Sequence, residues 1–524
     1  MRSIQVIDRL TRKLRPLRAA PEGQFRLKPG SAEPPAFTEN GGFDGASFCL
    51  LNRRLPFAGE TRWRPGDASD LWAYTLHYFR YLWGLPPSQG LALVLDWIEA
   101  NPPGSEPGWD PYPISLRVRE WLEWVLAHPE LPADAASRIV TSVAHQVAVL
   151  EGRLEYHLLG NHLLENAISL AWAGATLEGP GARGWLTRGA AVLEVQLAEQ
   201  ILADGSHDER SPMYQALLAE ALLRLAAVAR RSPAPEATRV LAVAGDAGRR
   251  LAASLARMVH PDGGYALLND CALGIAPPWA ALAARFGLPE QQPAASWVLR
   301  DAGYAGMDRA GAWLVFDSGP LGPDHQPGHG HADTLGFELS LGGERVVTDT
   351  GVGGYEPGAG RAHDRSTAAH STVAVDGCDQ AELWGAFRCG RRPAVEPVRQ
   401  VGEDTLGGGY AMRLARGRTL RHRRQLRMAD GALHVLDVLD GKGSHRLAIR
   451  VHLAPGVEAV EADGSVDLRV AGRRRARVAG PGLGWRIGES AYHPEFGVTL
   501  PRKCLVAEAP FTDSVELTWM VAFS

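Results

Sequence analysis

Apolar residues along this chain keep two different periods. From about residue 68 to about residue 290 they recur every three to four positions, as in SRIVTSVAHQVAVLEGRLEYHLL, HLLENAISLAWAGATL, MYQALLAEALLRLAAVARR and ATRVLAVAGDAGRRLAASLARMV. That is the spacing of one helix face. Connectors such as EGPGAR and ADGSHDERSP are short and carry Gly, Pro, Asp or Ser, so the helices should pack as antiparallel hairpins in a bundle, a solenoid or a closed toroid. After about residue 300 the period falls to two. AWLVFDSG, LGFELSLGGERVVTDTG, STVAVDG, LHVLDVLDG and HRLAIRVHLAPGV are short β-branched runs, with GGE and ADG as hairpin turns. The basic run RLARGRTLRHRRQLR alternates charged with apolar residues and reads as a strand with one solvated face. The first sixty or so residues are rich in Gly and Pro and weakly periodic. The pattern predicts a multidomain α+β chain: an irregular extension over 1–67, helical hairpins over 68–297, and an antiparallel β-sandwich over 298–524.

Composition narrows the function classes. A chain of 524 residues exceeds one ordinary core. A net charge of −4 argues against bulk electrostatic binding of nucleic acid. Fifteen tryptophans and eleven tyrosines supply flat rings that suit sugar stacking, although core filling is the reading for most of them. The five cysteines are scattered without a C-x-x-C pair and read as reduced thiols. The basic opening MRSIQVIDRLTRKLRPLRAAPEGQ lacks an uninterrupted apolar core, and no stretch reaches 18 apolar residues. The expectation is a cytoplasmic protein without a membrane span, a periplasmic location being the alternative.

Three polar clusters could carry chemistry. In EYHLLGNHLLENA, Gly160 and Asn161 separate two helices, and His162, Glu165 and Asn166 follow at i, i+3 and i+4 on one face. Such a face either satisfies itself or lines a wet cleft. In DGSHDERSPMYQ, Arg210 and Tyr214 stand on a loop and at a helix start, where cations and the helix dipole would bring the phenol pKa down. In PGHGHADTLGFELSLGGERVVTDTG, His329 and His331 alternate, and a hairpin at Gly342-Gly343 returns the chain to Asp349, while His370 precedes another strand. His331, Asp349 and His370 make a divalent-metal ligand set, Zn²⁺ by ligand type with Ca²⁺ or Mn²⁺ as alternatives, and leave His329 for proton transfer. The competing readings are a helix cap with a hydrogen-bonded core histidine for the first cluster, a packed tyrosine for the second and surface histidines in loops for the third.

Together these clusters resemble the heparinase II/III family of polysaccharide lyases. The matching stretches LHYFRYL, GWDPYPISLRVREW, EYHLLGNHLLENA, DGSHDERSPMYQ, PGHGHADTLGFELSLGGERVVTDTG, STAAHSTVAVDG and WGAFRCGRR come in family order within residues 71–392. The resemblance implies an N-terminal (α/α) toroid followed by a C-terminal antiparallel β-sandwich, and β-elimination at a uronic-acid unit. It implies that Asn161 or His162 neutralises the substrate carboxylate, that Tyr214 is the general acid and also serves as base, and that His329 is the second proton-transfer group. Ligation of the metal by His331, Asp349 and His370 is implied as well. Glu165, Arg210, Tyr355 and Arg365 are the substrate-binding candidates, Arg365 as a carboxylate clamp on chemical grounds.

The expected partner is an acidic polysaccharide or oligosaccharide, and the sequence leaves oligomeric state open. Two other readings compete. A glycoside hydrolase on the same helical scaffold would need two facing carboxylates, drawn from Glu165, Asp208 and Glu209. A non-catalytic carbohydrate-binding protein of polysaccharide assembly would keep the scaffold without turnover.

Overall fold

The computed structural model describes residues 2–11, 15–19, 21–38, 41–289, 294–414 and 417–524. Helix α1 (Ser3–Thr11) precedes a short strand Arg26–Leu27, paired with Leu177–Glu178, and a small antiparallel meander of strands Gly42–Phe43, Ser47–Leu50 and Arg53–Pro56. The expected irregular extension is therefore partly ordered. Its strands are two to four residues long, too short for a period to show, and they are fastened by the interlocked rings of Phe43, Phe48 and Phe57. Residues 33–37 thread against the helices, with Glu33 N donating to Glu123 and Ala36 N to Glu220.

Nine helices follow among the described residues: α2 (Asp70–Tyr78), α3 (Pro87–Ala100), α4 (Pro111–Ala127), α5 (Ala133–Gly152), α6 (Gly160–Thr176), α7 (Ala182–Gln200), α8 (Pro212–Ala229), α9 (Pro235–Leu255) and α10 (Trp279–Phe286). Proline opens α3, α4, α8 and α9, where its missing N–H would have no helical partner anyway. Helices α4 and α5, α6 and α7, and α8 and α9 pack as hairpins, and α2, α4, α6 and α8 also touch one another in series. The result is two layers, α2, α4, α6 and α8 inside and α3, α5, α7 and α9 outside. In α6 every residue except His162 is buried, because α4 and α8 flank the helix and α5 and α7 pack behind it. Outer α9 buries a stripe of Ala237, Val240, Ala244, Ala247 and Leu251, the helical period already visible in sequence. Trp72, Trp97, Trp121, Trp124, Trp172 and Trp185 are fully buried and fill this core.

From Ser296 the chain is built on antiparallel strands joined by long loops and one short helix, Ala359–Asp364, so the 297/298 division falls inside the first strand, Ser296–Leu299. A five-stranded sheet runs in spatial order 344–347, 337–341, 312–317, 304–309, 296–299. A larger sheet is centred on the long strands Ala432–His452 and Leu500–Phe523. Side chains from both sheets share one core, Leu314, Phe316 and Leu339 meeting Leu406, Leu426 and Leu433, which makes the β-sandwich. The runs LHVLDVLDG and HRLAIRVHLAPGV are one strand interrupted by a bulge between Asp440 and Ser444. In the basic run, Ala415 and Arg416 lie outside the described residues. Its strand Thr419–Ala429 buries every second side chain, and inward-facing Arg424 and His422 are bound to Asp437.

Candidate active site

The inner helices and the β-sandwich enclose a cleft of about 1060 Å³. Its helical wall carries Tyr112 and Arg119 from α4, Asn161, His162 and Glu165 from α6, and Tyr214 from α8; the opposite wall carries His329, Tyr355 and Phe387. Tyrosines at 74, 78, 112, 214 and 355 supply ring surface around it. No described tryptophan lines it.

The chain enters α6 through Leu159 and Gly160, both at positive φ. A Cβ at Gly160 would collide with the Glu209 carboxylate, so glycine lets the loop and the helix end approach each other. Glu209 accepts from the Asn161 backbone N–H and from Asn161 Nδ2, each at 2.7 Å. Burial would raise the Glu209 carboxyl pKa, but His329, His207 and Asn161 outweigh it and hold the group ionised. His162 packs its ring 4.3 Å from Tyr112 and lies 3.2 Å from Glu155. Burial pulls the His162 pKa down, yet the Glu155, Glu209 and Glu165 carboxylates together raise it above the ordinary value. The imidazole therefore holds a proton more readily than a free one, beside the Asn161 amide.

Helix α8 is capped by Ser211, whose Oγ accepts from Tyr214 N and donates to the Asp270 carbonyl at 2.6 Å. This fixes Tyr214 over the loop-borne His329, the ring centroids 4.4 Å apart, with the Tyr214 hydroxyl 2.9 Å from that of Tyr355. The expected downward shift of Tyr214 does not occur. Burial, the Tyr355 hydroxyl and the Asp270 and Glu209 carboxylates all push its pKa well above the usual phenol value. The group is a neutral O–H, suited to giving a proton.

His329 and His331 converge on one carboxylate that the sequence reading missed. Asp270 Oδ2 accepts from His329 Nδ1 and Oδ1 from His331 Nε2, both at 2.8 Å, and Arg361 grips the same two oxygens. Burial would raise the Asp270 pKa, but Arg361 and the two imidazoles hold it well below the carboxylate range. An anionic Asp270 makes His329 Nδ1 a donor and directs Nε2 away from it, 3.7 Å from Glu209 Oε2. Gly330 between the histidines packs where any Cβ would strike the Leu321 carbonyl.

The remaining candidates divide. Glu165 pairs with Arg119 at 2.6 Å at the cleft floor, and burial, only partly offset by that arginine, raises its pKa. Arg210 does not line the cleft: its guanidinium donates to the Asp208, Asp301 and Ala302 carbonyls, because a buried loop there has carbonyls to satisfy. Arg365 is likewise spent on the carbonyls of Gly330, Ala386 and Arg388 and is no carboxylate clamp. Asp208 stays outside the cleft lining, and Glu165 and Glu209 are each engaged, so the facing pair a hydrolase needs is not formed. His331, Asp349 and His370 are brought together: His370 Nδ1 lies 2.8 Å from Asp349 Oδ2, and the two imidazole centroids are 5.4 Å apart. Among the described residues no three His, Cys, Asp or Glu side chains form a ready metal cage, since Asp349 and His370 are turned toward each other. His331 Nδ1 and His370 Nε2 are nevertheless buried without a hydrogen bond, a donor pair that fits a divalent ion.

Asp270 and Arg361 were invisible as partners, since they stand 59 and 91 positions from the groups they bind. The weak signal was two polar residues inside the apolar run LLNDCA. Arg119 and Tyr112 lay within GWDPYPISLRVREW without being singled out.

Comparison with known proteins matches both halves of one family. The heparinase II/III N-terminus covers residues 91–272 and the heparinase II/III-like C-terminal region covers 291–514, most of the chain between them. A heparin-sulfate lyase from Bacteroides thetaiotaomicron is 28% identical over 171 residues, 29% of this chain and 24% of that protein's length. The match thus spans about a quarter of the curated relative. A crystal structure of heparinase III superposes with TM-score 0.68 at 16% identity, over 88% of this chain and 79% of the other. A mutant heparan sulfate lyase from Pedobacter heparinus gives 0.62 at 16% identity, over 93% and 81%. These two likenesses establish the fold, helical toroid followed by antiparallel sandwich, and with both family regions matched in order the chain belongs to the heparinase II/III family.

Proposed function

We propose that the chain is a polysaccharide lyase, a carbon–oxygen lyase that cleaves a uronic-acid-containing polysaccharide or oligosaccharide by β-elimination. The observation that carries this reading is a single cleft in which an amide and an imidazole raised in pKa by neighbouring carboxylates face a neutral phenol and a carboxylate-oriented imidazole. Elimination removes the proton on the carbon beside a uronate carboxylate, and negative charge then spreads into that carboxylate. Asn161 and His162 would stabilise it; one such donor is typically worth about 3 kcal/mol. His329 Nε2 takes the proton as the carbon–carbon double bond forms, and the Tyr214 hydroxyl protonates the departing glycosidic oxygen as its bond to carbon breaks. Asp270 holds His329 in the tautomer this needs. Arg119 and Glu165 shape the floor, and Tyr355 holds the Tyr214 hydroxyl.

A divalent ion, Zn²⁺ by ligand type, belongs to the same proposal, held by His331, His370 and Asp349. When bound it would cross-link the loop that presents His329 to the sheet edge, a structural role. His331 already reaches His329 through their shared Asp270.

Incubation with a panel of uronate glycans, among them heparan sulfate, hyaluronan, alginate and bacterial exopolysaccharides, should give unsaturated ends seen as new ultraviolet absorbance. Tyr214→Phe should abolish that signal while the protein melts as before. Saturated ends, or full turnover by Tyr214→Phe, would overturn the assignment.

A further inference from the structure

Helix α1 is turned inside out. Around its axis Gln5, Asp8 and Arg9 occupy one side and Ile4, Val6, Ile7 and Leu10 the other, as 3.6 residues per turn dictates. A surface helix ordinarily packs its apolar side on the protein. Here Gln5 and Asp8 are 2% and 3% exposed, whereas Ile4, Val6, Ile7 and Leu10 are 45%, 41%, 60% and 72% exposed. The polar side is tethered. Gln5 Nε2 donates to the Leu158 and His325 carbonyls at 3.3 and 3.4 Å, and Asp8 Oδ2 accepts from His157 N at 3.0 Å. An apolar stripe is thus held outward by hydrogen bonds on its opposite face.

Charge indicates what meets that stripe. Residues 2–18 carry Arg2, Arg9, Arg12, Lys13, Arg15 and Arg18 against the single acid Asp8, in a chain whose net charge is −4. Arg2, Arg15 and Arg18 pair with Glu199, Asp8 and Glu151, yet their side chains remain 44%, 39% and 60% exposed. An apolar stripe among cations, on a helix of nine residues, is too short to cross a bilayer and suited to lying in its interface.

We infer that the outward face of α1 docks the protein on an anionic lipid surface. A bilayer accepts four projecting aliphatic side chains without a matching groove and attracts the surrounding cations through its negative surface potential. The inward face gives docking a consequence for the cleft. Gln5 and Arg9 line it beside His325 and Gln326, so a docked molecule presents that end of the cleft to glycans at the membrane face.

The test is co-sedimentation of the full chain with phosphatidylcholine vesicles, with and without phosphatidylglycerol. Binding is expected to the anionic vesicles, with at least about tenfold weakening as salt rises from about 0.05 M to about 0.5 M. Ile7→Asp/Leu10→Asp should weaken it at least about tenfold. That variant should melt as the wild type does, because both side chains are exposed. Failure to bind anionic vesicles at low salt, or unchanged binding by the variant, would overturn the inference. So would a concentration-dependent dimer abolished by the variant without any vesicle binding, which would assign the face to a second copy.

Discussion

Asp270→Asn tests whether one buried carboxylate both supports the interdomain core and orients the base. The aspartate is fully buried and accepts from His329, His331 and both terminal nitrogens of Arg361. An amide in its place keeps one acceptor and turns an NH₂ toward donors, leaving the buried Arg361 cation without a counter-charge. Breaking a buried pair in this way costs about 3–5 kcal/mol, which in a chain of this size should lower the melting temperature by about 3–5 °C. The pH dependence follows from the depressed pKa. The stabilisation is complete above the unfolded value near 3.9 and is lost as pH falls toward the folded one. The gap between wild type and variant should therefore be full at pH 5–7 and narrow below about pH 4. Adding Arg361→Met removes the stranded cation, so the double variant should regain about 1–3 kcal/mol relative to the sum of the singles. Turnover should not recover. With His329 free to adopt the other tautomer, activity should stay about a hundredfold to ten-thousandfold down in both. Additive stability losses, or wild-type turnover in Asp270→Asn, would refute the reasoning.

Other perturbations probe separate parts. Burial and the neighbouring Glu209 push the Asp208 carboxyl up to about 8, so folding keeps a proton that the unfolded chain releases near pH 4; wild-type stability falls as pH rises from about 4 to 8. Asp208→Asn should be neutral near pH 4 and stabilising by roughly 3–5 kcal/mol at pH 8 in denaturant titrations. Arg365→Met should lower the melting temperature by several degrees, because the bonds to Gly330, Ala386 and Arg388 tie two loops together. A raised KM with unchanged melting would restore the clamp reading. His331→Ala should reduce both bound metal, read by elemental analysis of the purified protein, and thermal stability. A wild-type protein free of metal and indifferent to chelator would remove the ion from the proposal.

Much of the architecture was readable from local patterns. The stripe of α9, the buried run of α6, the Gly342-Gly343 hairpin and the alternation of Thr419–Ala429 each follow from a period that neighbouring residues set by themselves. The Gly-Pro-rich opening defeated that logic, since its helix buries its polar side and its strands owe their order to rings packed on the helical layer. Asn161, His162, Tyr214 and His329 could be picked out because polar groups inside apolar runs need a reason to be there. Which groups they meet could not, and two arginines chosen for their charge turned out to be satisfying carbonyls.

The sequence by itself determined element types, their order and the residues able to do chemistry, because helix and strand periods and side-chain functionality are local properties. Only the tertiary structure decided the protonation states and pairings. It surrounded Tyr214 with anions, joined His329 and His331 through Asp270, and delivered Arg361 to the same carboxylate. A pKa is set by burial and by charges within a few ångströms, and closeness in space between residues 59 to 91 positions apart exists only once the toroid and the sandwich have closed on each other.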